Sequence, residues 1–233
     1  MTFPTSEYLR KATSRAKSDV ANKLVSMFLH GLSRKISTEF GQNVTDGAYA
    51  DAVAAEFENN CCYCLRPLEK DRAAIEHLDA LNRFRLGLHL PGNVIVSCKR
   101  CNGEKRRDDQ VGNLTLADGG WESFLSHDST RCLQGCKTCA YWRAVWPDAD
   151  ERVARMRMAR QKIAAFRARY PNSLDWSDRT KRQLQQTVDG LYRDCQEFAT
   201  ARINKSVTEA FAILSKDSRE HPRCSAVARR KES

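Results

Sequence analysis

The chain predicts a mainly α-helical protein with a small α+β core near its centre. Three observations point there. Long stretches on either side of the centre carry apolar residues at helical spacing. Two Cys-x-x-Cys pairs, Cys61/Cys64 and Cys98/Cys101, bracket a central stretch. Inside that bracket, residues 73–75 and 94–96 are short apolar or β-branched runs of strand character. A length of 233 residues suits one domain or two small ones, and 41% hydrophobic content is enough to bury a core.

Residues 1–59 read as a helical scaffold. Leu9, Ala16, Val20, Leu24, Met27, Phe28 and Leu32 recur at helical spacing over residues 5–38, and Gly31 or Gly41 can end that segment. A second helix, residues 46–58, starts at the Thr45-Asp46 cap and carries Ala50, Val53, Ala54 and Phe57 on one face. The basic residues Arg10, Lys11, Arg15 and Lys17 are read as a solvated face first and as phosphate contacts second.

Residues 60–117 form the central module. Zinc takes four thiolate or imidazole ligands in a tetrahedron, and two Cys-x-x-Cys turns supply four. A redox dithiol or a set of buried thiols is the other reading. The first strand delivers Glu76 and His77 at its end. Pro91-Gly92 marks a turn before the second strand, and residues 102–109, rich in Lys and Arg, continue as a short helix. The order is strand, loop, strand, helix.

Glu76-His77, then Asn93 in Gly92-Asn93-Val94-Ile95-Val96, then Cys98-Lys99-Arg100-Cys101-Asn102 with Lys105 after it make this stretch resemble the HNH endonucleases. More specifically, it resembles the zinc-clamped form of the ββα-metal nuclease fold. The match covers about a quarter of the chain. The resemblance implies His77 as general base, Glu76 and Asn102 as ligands of one divalent metal, and Asn93 as the brace of the loop. It departs from the commonest pattern twice: Glu76 stands where aspartate is usual, and Asn102 where many members carry histidine. A carboxylate beside an amide oxygen favours Mg²⁺ or Mn²⁺. The chemistry asks for the same residue types. An imidazole can take a proton from water near neutral pH, and a divalent cation can stabilise charge at phosphorus and at the leaving oxygen.

Cations crowd the same region. Lys99, Arg100, Lys105, Arg106 and Arg107 flank Asn102, and Arg83 and Arg85 lie in the loop between His77 and Asn93. These read as phosphate contacts. The net charge of +10 and a pI near 9.2 point to a polyanionic partner, double-stranded DNA first among them.

Residues 118–147 hold His127, Cys132, Cys136 and Cys139, a set able to complete a second structural zinc site. The Cys-x3-Cys-x2-Cys spacing also occurs around four-iron clusters that cleave S-adenosylmethionine, but the alternating β/α barrel of those enzymes is missing; buried free thiols are the third reading. Residues 148–215 read as a basic helical hairpin. Its first helix, residues 148–170, carries a run of cations that includes Arg155, Arg160 and Lys162 and stops at Pro171. Its second helix covers residues 176–214. One face would pack on the core or on a second copy of the chain. Residues 216–233 read as a disordered basic tail. No run is long and apolar enough to span a membrane and no export signal precedes the cysteines, so a cytoplasmic location is expected.

The expected function is metal-dependent endonucleolytic cleavage of DNA, in restriction or phage defence by analogy with free-standing nucleases of this build. A homing or recombination nuclease shares the chemistry. A zinc-ribbon nucleic-acid-binding protein without catalysis is the reading from another class.

Overall fold

A computed structural model describes residues 5–69, 72–105, 120–127 and 136–220. Seven helices and two strands are seen among them: α1 (Thr5–Phe40), α2 (Gly47–Phe57), β1 (Ala73–His77), β2 (Val94–Cys98), α3 (Lys99–Lys105), α4 (Gly120–Ser126), α5 (Lys137–Val145), α6 (Ala149–Ala168) and α7 (Pro171–Glu220). The chain is mainly helical with one two-stranded antiparallel sheet. No described helix is long and apolar enough to cross a membrane.

Several boundaries fall where local chemistry sets them. Asp46 caps α2 by accepting from Ala48 N–H, and Glu58 ends it in the left-handed region. Asp148 caps α6 by accepting from Glu151 N–H. Gly41, with φ at +67°, ends α1 and donates its N–H to the Ser37 carbonyl at 3.1 Å. Gly31 does not end the helix; it lies within α1 with nothing near its missing side chain. Other boundaries differ from the sequence reading. α3 begins at Lys99, so the second cysteine pair straddles the strand–helix junction. α7 begins at Pro171, whose missing N–H costs nothing at a helix start, and it continues through 216–220, residues assigned above to the tail. The rest of that tail, 221–233, lies outside the described residues.

Internal packing divides the chain into two units, residues 25–189 and residues 1–24 with 190–233. α1 and α7 contribute to both. In the smaller unit Gln196 Nε2 reaches Ser18 Oγ at 3.4 Å, and α7 exposes Phe198, Val207 and Phe211.

The larger unit holds the sheet. Its register pairs Ala73 with Cys98 and His77 with Val94, so the strand ends that carry Glu76-His77 and the turn at 91–93 lie side by side. A sheet of two short strands is marginal alone. Its Ile95 face is buried in a core that includes Phe57, Tyr63, Phe124, Trp142 and Phe166. Tyr49 of α2 donates its hydroxyl proton to the Val94 carbonyl and accepts from Gly92 N–H at 3.0 Å, which fixes the turn into β2. Two glycines make this possible. A Cβ on Gly92 (φ +82°) would stand 3.0 Å from Tyr170 Cβ, and one on Gly87 would meet the Asp79 carbonyl oxygen at 1.8 Å.

Asp79, just after β1, ties the unit together. Its buried carboxylate meets Arg85 at 3.0 Å, Arg167 of α6 at 3.0 Å and Lys181 of α7 at 3.2 Å. Burial alone would raise its pKa. The three cations outweigh burial and hold the carboxyl at about 2, below its ordinary value of 3.8. A depressed pKa contributes stability that is present above the unfolded value and lost as pH falls through the folded one. Wild-type stability relative to Asp79→Asn is therefore expected to fall by about 2 kcal/mol between roughly pH 4 and pH 2. Urea titrations of both proteins across that range check this; parallel pH curves would show that Asp79 is not the titrating link.

Candidate metal centre and active site

The four cysteines converge. One ligand atom from each of Cys61, Cys64, Cys98 and Cys101 lies within 4.8 Å of the others, and all but Cys98 are fully buried. Local backbone produces the first corner. Residues 60 and 67 form an antiparallel bridge, Leu65 N–H closes onto the Cys61 carbonyl at 2.8 Å, and Leu65 itself adopts φ +51°. Cys62 N–H then bonds the Val96 carbonyl at 3.2 Å, docking this turn on β2. The second corner is the start of α3, where Cys101 N–H points at Cys98 Sγ at 3.4 Å.

Four sulfurs this close compete for charge. Hydrogen bonds from Cys101 and the other neighbouring thiols drive Cys61 down, whereas Cys64 and Cys101 are pushed up. Cys98 is lowered to about 7, chiefly by the Cys101 thiol. Such a cluster can carry only part of its negative charge until a cation joins it. Its donor set and spacing fit a tetrahedral metal site and suit structural zinc. Tyr141 of α5 reaches Cys101 Sγ at 2.6 Å, and Arg100 lies 5.0 Å over the Tyr141 ring. Tyr141 thus supports the cluster from outside the two cysteine pairs, a role with no signal in the spacing.

A second cluster forms from His127, Cys136 and Cys139. His127 Nδ1 lies 3.5 Å from Cys136 Sγ and 3.9 Å from Cys139 Sγ. Cys136 stands at the N-cap position of α5 without a side-chain capping bond, and Cys139 sits one turn later, so the helix start brings both sulfurs near His127. Three ligands are in place for a metal; Cys132, the fourth in the sequence reading, lies outside the described residues.

Around β1 the candidate catalytic residues separate by face. Glu76, 3% exposed, points inward and accepts from the Tyr63 hydroxyl at 3.1 Å. His77 points to the other face, where its Nε2 lies 2.8 Å from His89 Nδ1. His30 of α1 completes a group of three imidazoles, with ring centroids 5.9 Å from His77 and 5.2 Å from His89. His89 N–H is held by Ser33 Oγ at 2.8 Å, which pins this loop to α1. Burial, with the neighbouring His30, lowers the pKa of His89 and favours its neutral form. Neither His30 nor His89 was singled out by the sequence; each is a lone histidine far from the paired motif.

Asn93, 3% exposed, makes the hydrogen bonds of a loop brace. Its Oδ1 accepts from Asp79 N–H at 2.7 Å, and its Nδ2 donates to the carbonyls of Asp79 at 2.9 Å and Leu88 at 2.8 Å. Asn102 on α3 directs Nδ2 at the Ile75 carbonyl at 3.5 Å, one residue before Glu76.

The basic residues are distributed unevenly. Lys99 and Arg100 are exposed on α3; the Lys105 side chain, Arg106 and Arg107 lie outside the described residues. Arg85 is engaged by Asp79, and the Arg83 guanidinium sits 4.3 Å over the Phe84 ring. On α6, Lys162 pairs with Glu58 at 2.7 Å and Arg155 with Glu151 at 3.6 Å, while Arg160 is exposed. Those pairs are internal to the protein.

Comparison of the chain with family models, curated proteins and solved structures found no significant match. The reading of the site therefore rests on its geometry and on the sequence pattern.

Metal analysis is expected to find zinc at the four-cysteine cluster, lost together with cooperative unfolding in Cys98→Ser. A folded, metal-free Cys98→Ser protein would overturn the clamp. A second equivalent that disappears in Cys136→Ser marks the His127 cluster as a metal site; a metal content unchanged by that substitution returns its thiols to the core.

Proposed function

We propose that the protein is a metal-dependent endonuclease of the HNH type that hydrolyses DNA phosphodiester bonds. The observation that carries this reading is the antiparallel β1–β2 hairpin with Glu76-His77 at one strand end. Asn93 braces its loop, and Asn102 follows the cysteine corner on α3 with its amide at the Ile75 carbonyl. Structural zinc at Cys61, Cys64, Cys98 and Cys101 would hold strand and helix in that relation.

The resemblance implies Glu76 and Asn102 as a hard-oxygen donor set for Mg²⁺ or Mn²⁺; to join it, Glu76 would have to leave its inward bond with Tyr63. When bound, such a cation neutralises charge at phosphorus and at the departing 3′ oxygen. His77 accepts the proton of the attacking water, and its contact with His89 keeps the ring oriented. The three hydrogen bonds of Asn93 keep the loop that carries His89 in register with β1. Lys99 and Arg100 contact the substrate backbone from α3. Restriction or phage defence is the role the resemblance suggests, with homing or recombination as relatives in chemistry.

The inward position of Glu76 and its bond from Tyr63 favour a second reading, a zinc-stabilised nucleic-acid-binding module without catalysis. Plasmid nicking with and without added Mg²⁺ or Mn²⁺ separates the two. His77→Ala is expected to keep its zinc and its DNA affinity and to cut about two to four orders of magnitude more slowly. Wild-type rates in that variant would remove His77 from the chemistry. Binding without metal-stimulated nicking in the wild type would leave only the second reading.

A further inference from the structure

Beside the three imidazoles, the larger unit carries a cleft of about 630 Å³ that the nuclease reading does not use. α1 lines it with His30, Arg34, Ser37 and Thr38, the turn after α1 adds Thr45, and His89 lines it as well. It shares His89 with the group at β1, and His89 Nδ1 in turn meets His77 Nε2. The cleft is thus one side chain away from the proposed base.

Its chemistry selects an anion. No carboxylate lines it, and Val44 is its one apolar side chain. Arg34 is exposed and forms no ion pair among the described residues, unlike Arg85, Lys162 and Arg167, which are paired with carboxylates. The two α1 hydroxyls are already committed, Ser37 donating to the Gln42 carbonyl and Thr38 to the Arg34 carbonyl at 2.9 Å. Recognition of a ligand therefore falls to N–H donors: the Arg34 guanidinium, the imidazoles and the carboxamide of Asn43, whose Oδ1 is taken by Thr45. A guanidinium fork matches the paired oxygens of a phosphate. The His89 backbone N–H donates to Ser33 Oγ at 2.8 Å, which holds this wall against α1.

We propose that this cleft seats a phosphodiester of the substrate strand next to the one at His77, with Arg34 as its cation. The inference rests on the nuclease reading for its substrate and extends it to α1, outside the ββα module. The helix taken from sequence as scaffold becomes one wall of the substrate track, through positions 30, 34, 37 and 38 rather than its basic start.

Salt-dependent binding of a short DNA duplex, without added Mg²⁺ or Mn²⁺, tests it. Arg34→Gln is expected to flatten the slope of log K against log salt by about one unit, and Arg34→Lys to keep it. In the wild type, the duplex should shift the side-chain ¹⁵N signals of His30 and His89. Inorganic phosphate should move the same signals only at far higher concentration. An unchanged slope in Arg34→Gln overturns the proposal. So does duplex binding that leaves both imidazole signals in place, a site that answers to inorganic phosphate alone, or a wild type that does not bind the duplex. Plasmid nicking measured in parallel keeps the two readings apart. Binding through Arg34 without nicking sinks the nuclease and leaves the cleft. Nicking with an unchanged slope in Arg34→Gln does the reverse.

Discussion

The arrangement depends on four sulfurs brought within 4.8 Å of one another. A sheet of two five-residue strands has too little of its own surface to bury, and α3 is too short to stand alone. The cysteine cluster joins the turn before β1 to the junction of β2 and α3, so the ends of the hairpin are fixed from outside. Charge is the difficulty of such a cluster. The opposed pKa directions of Cys61 and Cys64 express it: in such close quarters the four sulfurs do not all give up their protons together. A divalent ion relieves that conflict and converts a crowded set of thiols into a clamp. Tyr141 then matters as a hydroxyl that supports Cys101 from α5, linking the clamp to the helical part of the unit.

Local signals were strong enough in the sequence to give α1, α2, α6, α7 and both strands, but not α4 and α5, which lie in the stretch read only as Cys-rich. Asp46 and Asp148 are caps with one obvious partner each, and the β-branched run after Asn93 has no helical alternative. The brace role of Asn93 came only from the family resemblance; its three hydrogen bonds lie within residues 79–93. Long-range partners were illegible. Asp79 looked like any acid in a polar loop, yet it binds cations from α6 and α7, roughly a hundred residues away in sequence. His30 and His89 carried no motif, because their meaning comes from the packing of α1 on the 78–93 loop.

The basic residues make the same point about charge. A run of cations on α6 with no acid among them reads as a surface offered to a polyanion. In the fold, Arg152 is buried, its guanidinium donating to the carbonyls of Trp146, Pro147 and Asp148, and Arg167 serves Asp79. Arg169 pairs with Glu56, and Lys162 with Glu58 at the end of α2. The acids that answer these cations sit on other elements, where a helix-by-helix count cannot see them. Net charge then says that cations exceed acids, and the fold decides which cations remain to meet a ligand.

That sorting makes Arg34 informative. Several cations of the larger unit are spent on α2, the 79–85 loop or backbone carbonyls, whereas Arg34 faces a polar cleft that has no carboxylate lining it. Burial and the neighbouring His30 lower the pKa of His89, so that imidazole adds hydrogen-bond capacity without duplicating the charge. One guanidinium beside a neutral His89 suits a singly charged phosphodiester better than a more highly charged free phosphate, which would call for a second cation. His89, which meets His77 Nε2, also lines the cleft. In the proposed reading, ordering of His77 and seating of the strand would be coupled through His89, whose backbone N–H is held by Ser33 of α1.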